Sequence, residues 1–164
     1  MRVKYLTTTP RQTKKLGEIL AKEVLKTKLK KGALIIGLKG DLGGGKTTFL
    51  QGLAKGLGIK QKILSPTFII IRKFQIQSAK WRTKFKNFYH IDCYRIQKPG
   101  EIIKLGFEEI ISNPQNIVAI EWADRIQKVL PLETIIFKFG FINQKTRKIT
   151  VSFKNERKKA FNCH

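Results

Sequence analysis

Gly40-Asp41-Leu42-Gly43-Gly44-Gly45-Lys46-Thr47-Thr48 is the stretch whose reading decides the fold. It fits the phosphate-binding pattern Gly-x-x-x-x-Gly-Lys-Ser/Thr at every position. The apolar run Ala33 to Leu38 before it predicts a strand, and Leu50, Leu53, Ala54 and Leu57 after it recur at helical spacing. Glycines at 40, 43, 44 and 45 let the backbone take positive φ and turn its N–H groups inward. With the helix N-terminus behind them, those groups form a concave anion site. In this reading Asp41, Leu42, Gly43, Gly44, Gly45 and Thr48 line the cradle. Lys46 reaches the β- and γ-phosphates, and the Thr47 hydroxyl binds Mg²⁺. A glycine-rich turn that merely carries a lysine is the alternative, and the flanking strand and helix argue against it. The expected ligand is a nucleoside triphosphate.

A chain of 164 residues suits one domain, 1–164, with a sizeable core. No apolar run approaches membrane-spanning length, and Met1 to Tyr5 begins no signal-peptide core. Cys93 and Cys163 are too few for a disulfide framework, so a reducing, cytoplasmic setting is expected. The net charge of +23 favours encounters with polyanions. Yet 26 lysines stand against 8 arginines, alongside 22 isoleucines, which also fits an overall coding bias. Both readings of the charge stay open.

In chain order, Val3 to Leu6 predicts a short edge strand, and residues 10–29 an amphipathic helix behind hydroxyl N-caps at Thr7 to Thr9. Residues 68–76 predict a strand buried at its start, 77–84 an exposed basic hairpin tip, and Phe85 to Ile91 the returning strand, with Asp92 just beyond it. Pro99 to Ile111 suits one or two short helices interrupted at Gly106. Ile117 to Ile120 predicts a buried strand ending in Glu121, and Ala123 to Val129 a helical turn. Thr134 to Phe141 and Lys148 to Phe153 alternate as a hairpin, and 154–164 is a basic tail.

Four apolar residues and then a carboxylate, Ile117 to Glu121, have the form of a strand that holds Mg²⁺ or polarises the attacking water in phosphate-loop enzymes. In His90-Ile91-Asp92-Cys93-Tyr94-Arg95, Asp92 can serve Mg²⁺ or the attacking water and Arg95 can neutralise developing charge. A strand-end capping cluster explains the same residues equally well. His90 reads as a packing or hydrogen-bonding residue rather than a base. By pattern alone Thr67 is a turn residue, and no Cys-x-x-Cys pair or His cluster supports a metal site at Cys93, Cys163 or His164.

Together with Gln12 to Gly17, Leu64-Ser65-Pro66-Thr67-Phe68, Leu105 to Glu109 and Ile120-Glu121-Trp122-Ala123-Asp124, these motifs resemble, in order and spacing, the tRNA threonylcarbamoyladenosine biosynthesis ATPase family, TsaE or YjeE. The resemblance spans roughly residues 3–153. It implies an α/β phosphate-loop NTPase fold: a mostly parallel central sheet with antiparallel edge strands and helices on both faces. It implies a weak, Mg²⁺-dependent ATPase, the cofactors being ATP and Mg²⁺. The partners implied are a threonylcarbamoyl-transferase subunit and its paralogous partner subunit, with tRNA in the assembly and its direct contact to this chain left open. Carried over by position, Lys46 and Thr47 hold phosphate and Mg²⁺, Glu121 is the metal-side carboxylate, Asp92 is needed for activity, Thr67 becomes a switch threonine and Trp122 lies near the nucleotide. Gly44 stands where alanine is usual, and Arg72 and Lys73 where acidic residues are common. A small-molecule kinase and a basic RNA-binding module with a secondary nucleotide site are the alternative functions. ATP is preferred over GTP because no Asn-Lys-x-Asp signature occurs.

Overall fold

A seven-stranded sheet in the order β1-β7-β6-β2-β5-β4-β3 organises the chain. Its strands are β1 (Arg2–Thr7), β2 (Leu34–Lys39), β3 (Ile71–Gln75), β4 (Asn87–Asp92), β5 (Asn116–Glu121), β6 (Ile135–Phe141) and β7 (Arg147–Ser152). The helices are α1 (Pro10–Lys26), α2 (Lys46–Gly56), α3 (Pro99–Lys104) and α4 (Phe107–Ser112), with a 3₁₀ segment at Ala123–Val129. This computed structural model describes residues 2–28, 31–64, 70–77 and 83–152. The expectations at Thr67, at the hairpin tip around Trp81 and in the tail lie outside the described residues.

The central strands β4, β5, β2 and β6 are mutually parallel, while β3 at one edge and β7 and β1 at the other run antiparallel. That is the sheet the motifs implied. Parallel strands are covered on both faces and so read as continuous apolar runs. Every residue of β5 is buried, as are the first five of β2. Alternation sorts their side chains. Leu34, Ile36, Leu38, Ile117 and Ala119 join Phe49, Leu50 and Leu53 of α2 and Leu20 and Val24 of α1 in one cluster. Ile35, Val118 and Ile120 join Ile102, Phe107 and Ile126 in a second. The helices thus lie on both faces. Each fully buried Leu, Ile or Phe contributes about 1.5–3 kcal/mol, so the sheet is a firm base for whatever its strand ends carry.

Several boundaries differ from the sequence reading by one to three residues. Helix α1 stops at Lys26, because extended Thr27 turns its hydroxyl and amide back onto Val24 O (2.7 and 3.0 Å). Strand β3 is described from Ile71 to Gln75, and the expected buried start at 68–69 lies outside the described residues. Asp92 is the last residue of β4, not the first beyond it, because its amide still donates to Ile70 O (2.9 Å).

Candidate phosphate-binding site

Between β2 and α2 the loop 40–45 turns through three glycines at positive φ: Gly40 at 129°, Gly43 at 75° and Gly45 at 98°. Gly45 is the N-cap of α2. A side chain there would be strained, and at Gly40 a Cβ would also run into the Phe139 carbonyl. The turn is closed by Gly44 N donating to Asp41 O (3.2 Å) and by Phe49 N donating to Gly45 O (2.9 Å). The first-turn N–H groups of α2 have no acceptor within the helix. A cleft of about 170 Å³ opens there, lined by residues 42–48 together with Glu121 and Trp122. Its size suits phosphate groups rather than a whole nucleotide.

Lys46 is 5% exposed, and its ammonium donates to Gly40 O (2.6 Å) and Asp41 O (2.7 Å). It also sits 3.9 Å from the centroid of the Trp122 ring, a cation–π geometry. Burial pushes its pKa below the usual lysine value, opposed by the negative charges of Glu121, Asp124, Asp41 and Asp92. The side chain is folded onto its own loop, and phosphate oxygens are acceptors of higher charge than the carbonyls it now uses.

Across the cleft, Thr47 Oγ1 donates to the Glu121 carboxylate, 2.9 and 3.1 Å from its two oxygens. Sheet register explains why residues 74 positions apart meet. Glu121 ends β5 opposite Leu38 of β2, one residue before the loop strand ends, and its side chain points to the α2 face. Its Oε1 also lies 2.9 Å from His90 Nε2, with the two side chains 3% and 0% exposed. Asp92 is paired with Glu121 in the β4–β5 register and is 6% exposed. Its Oδ1 accepts from Tyr94 N (2.9 Å), so part of the strand-end capping role is present. A hydroxyl and a carboxylate, hydrogen-bonded at the rim of an anion cradle, are a donor set that fits Mg²⁺. That ion takes one or two protein oxygens and completes its shell with phosphate and water. Among the described residues no group of three or more His, Cys, Asp and Glu is arranged to hold a metal, so the fit depends on phosphate oxygens completing the shell.

Trp122 holds φ 58°, ψ 42°, the one non-glycine residue at positive φ among those described. An L-residue rarely sits there without something enforcing it. Here the ring is held between Lys46 and Tyr94, whose centroid is 5.1 Å away, and the Arg125 guanidinium faces both rings at 5.9 and 5.4 Å. Arg125 in turn donates to Ile96 O (3.2 Å).

Of the residues singled out in the sequence, Leu42, Gly43, Gly44, Gly45, Lys46, Thr47, Thr48, Glu121 and Trp122 line one cleft, Asp41 contributes its carbonyl, and Asp92 lies on the neighbouring strand end. Thr67 is not among the described residues. Arg95 is exposed on the turn after β4. Sequence reasoning missed Arg125 and the contact of His90 with Glu121. The motif Ile120 to Asp124 ended one residue short of the arginine.

The family described as threonylcarbamoyl adenosine biosynthesis protein TsaE matches residues 7–149. A tRNA threonylcarbamoyladenosine biosynthesis protein TsaE from Bacillus subtilis is 33% identical over 148 residues, covering 90% of this chain and 84% of the relative. One from Haemophilus influenzae is 32% identical over 127 residues, covering 77% and 75%. Among solved structures, Bacillus subtilis YdiB superposes with a TM-score of 0.73 at 28% identity, over 98% of this chain and 91% of that one. With a match across most of its length, relatives above 30% identity and the same phosphate-loop fold, the chain belongs to the TsaE family of tRNA threonylcarbamoyladenosine biosynthesis.

Proposed function

We propose that the chain is a slow, Mg²⁺-dependent ATPase that drives cycles of tRNA threonylcarbamoylation beside a threonylcarbamoyl-transferase subunit and its paralogous partner, in the cytoplasm. One observation carries the nucleotide reading: the Thr47–Glu121 hydrogen bond at the rim of the glycine cradle, with Lys46 buried beside it. No ordinary turn needs that bond. The loop N–H groups bind the β- and γ-phosphates, and Lys46 exchanges its two carbonyl partners for phosphate oxygens. Thr47 and Glu121 hold Mg²⁺, which when bound neutralises charge on those oxygens. Asp92 orients the water whose oxygen bonds to the γ-phosphorus as the bond to the bridging oxygen of ADP breaks. Positioning and electrostatics account for most of such a reaction. The aromatic pair and Ile96 O engage Arg125, which is consistent with slow turnover when the chain is alone.

Multiple-turnover modification of tRNA by a transferase pair tests the reading. It is expected to require this chain and ATP together, and modification that proceeds equally well without the chain would overturn it. Replacing Lys46 by Ala removes a charge-assisted contact worth about 1.5–3 kcal/mol. ATP affinity measured by calorimetry should therefore fall about 10- to 100-fold.

A second reading, direct contact with tRNA, is favoured by where the charge lies. No acidic residue occurs between Asp41 and Asp92, while ten lysines and arginines do. Among them Lys60, Lys62, Lys84 and Lys86 are exposed.

A further inference from the structure

We propose that His90 is a positioning residue whose Nε2–H locks the Glu121 carboxylate onto Thr47 and so presets the divalent-cation half of the phosphate site. The inference rests on the nucleotide reading above and adds to it a residue that does not touch the ligand.

The geometry begins with the pleat. On β4, residues 88, 90 and 92 point toward α2, as do 117, 119 and 121 on β5. His90 is in register with Ala119, two pairs before Asp92 and Glu121 and so on the same face. The small alanine opposite leaves the imidazole room to lean along the strand, and diagonal neighbours on one sheet face are within reach of a long side chain. Nε2 arrives 2.9 Å from Glu121 Oε1. A carboxylate this deeply buried needs its oxygens occupied. Here Thr47 and His90 occupy them from two sides, which fixes the rotation of the carboxyl plane.

The other ring nitrogen decides between packing and positioning. Among the described residues, His90 Nδ1 is buried with no hydrogen-bond partner. A proton on Nδ1 would be an unmet donor in the core and would leave Nε2 and Oε1 facing each other as two acceptors. The proton therefore sits on Nε2, donated to Glu121. An apolar ring would fill the same space without stranding a polar atom, so packing alone does not explain a histidine here. Outer groups that orient a metal-binding carboxylate are commonly worth 10- to 100-fold in metal affinity.

Calorimetry with a non-hydrolysable ATP analogue, in Mg²⁺ and in EDTA, tests this through binding rather than turnover. Gln places its amide near the Nε2 position and Asn only near Nδ1. His90→Asn should lose about 10- to 100-fold of the Mg²⁺-dependent gain in affinity while its EDTA affinity stays within about twofold of wild type. His90→Gln should keep most of the gain, and His90→Asn added to Glu121→Ala should change nothing further. The inference is overturned if the Gln and Asn variants fall together, or if His90→Asn loses as much affinity in EDTA as in Mg²⁺. A wild type with no Mg²⁺-dependent gain would sink the nucleotide reading itself, and this inference with it. Should the variants fail to fold, proton–nitrogen correlation spectra of the wild-type imidazole give a separate answer. They should report the Nε2–H form, with ring signals that move on adding Mg²⁺ and analogue but not analogue in EDTA. An Nδ1–H form would overturn the proposal.

Discussion

At the residue scale the site is a set of charges held partly out of water, and each has a partner that a ligand must replace or complete. Lys46 uses two hydrogen bonds and an aromatic face to stay charged inside the loop. Cys93 shows the same environment acting on a neutral group. Burial first, and then Asp92 and Asp124, push its thiol up to about 12, against a smaller pull downward from Arg125. A thiol reacts as its thiolate. In a Cys163→Ser background Cys93 should therefore stay unmodified by a thiol reagent at about pH 8, near the pKa of a free thiol, in the folded protein and react fully in denaturant. Rapid labelling of the native protein would mean that the β4 strand end opens readily. The residue scale was also only half legible in advance. Glu121 could be read because four apolar residues followed by a carboxylate is a local pattern. The His90–Glu121 contact could not, since it depends on β4 and β5 pairing side by side, and no spacing along the chain encodes that register. Trp122 at positive φ was equally hidden, because tryptophan carries none of the glycine or asparagine signal for that conformation.

At the scale of elements, the loop is only as well placed as helix α2, and α2 is fixed by its packing on α1. Gly17 of α1 and Gly52 of α2 let the two backbones meet. A Cβ on Gly52 would fall on the Lys14 carbonyl, and one on Gly17 on the Phe49 carbonyl. In the sequence these glycines look like weak points in two helical patterns. In the fold their lack of a side chain is what lets α1 seat against the helix that begins at Lys46. Gly52→Ala raises intrinsic helix propensity by about 1 kcal/mol yet forces the helices apart, and overpacking of this kind costs about 1–3 kcal/mol. Backbone atoms are the obstacle here, so the clash should win. Urea denaturation should show a net loss of up to about 2 kcal/mol. ATP affinity should fall as well, because displacing α2 moves the first-turn N–H groups that face phosphate. A Gly52→Ala protein that is more stable than wild type would mean that the interhelical contact relaxes freely. Helices, strands and their order were legible at this scale, since periodicity and turn residues are local signals. The close approach of α1 to α2 was not, because it joins two glycines far apart in the chain that share no motif.

At the scale of the whole molecule the charge is unevenly placed. Asp41, Asp92, Glu121 and Asp124 all stand at the carboxyl end of the parallel strands, around the phosphate cleft. Lys60 and Lys62 follow the far end of α2, and Lys84 and Lys86 precede β4, which puts all four at the opposite end of the sheet from Asp92. Ile59, Ile63 and Phe85 belong to the core cluster on the α2 face of the sheet, and Lys86 N donates to Gln115 O (2.9 Å) on the strand-entry side of β5. A lysine bias in coding would scatter charge over every face. Binding of RNA requires that one face matter more than another. Converting Lys60, Lys62, Lys84 and Lys86 to Glu should weaken tRNA binding and flatten its salt dependence, by about 0.7–0.9 in log–log slope for each phosphate that is no longer neutralised. ATP affinity, set at the other end of the sheet, should not change. Converting Lys22, Lys138, Lys145 and Lys148, which are exposed on α1 and the β6–β7 hairpin, alters the net charge equally and should leave most of the slope in place. Equal weakening by the two sets would assign the binding to the overall field of a +23 chain and not to this corner.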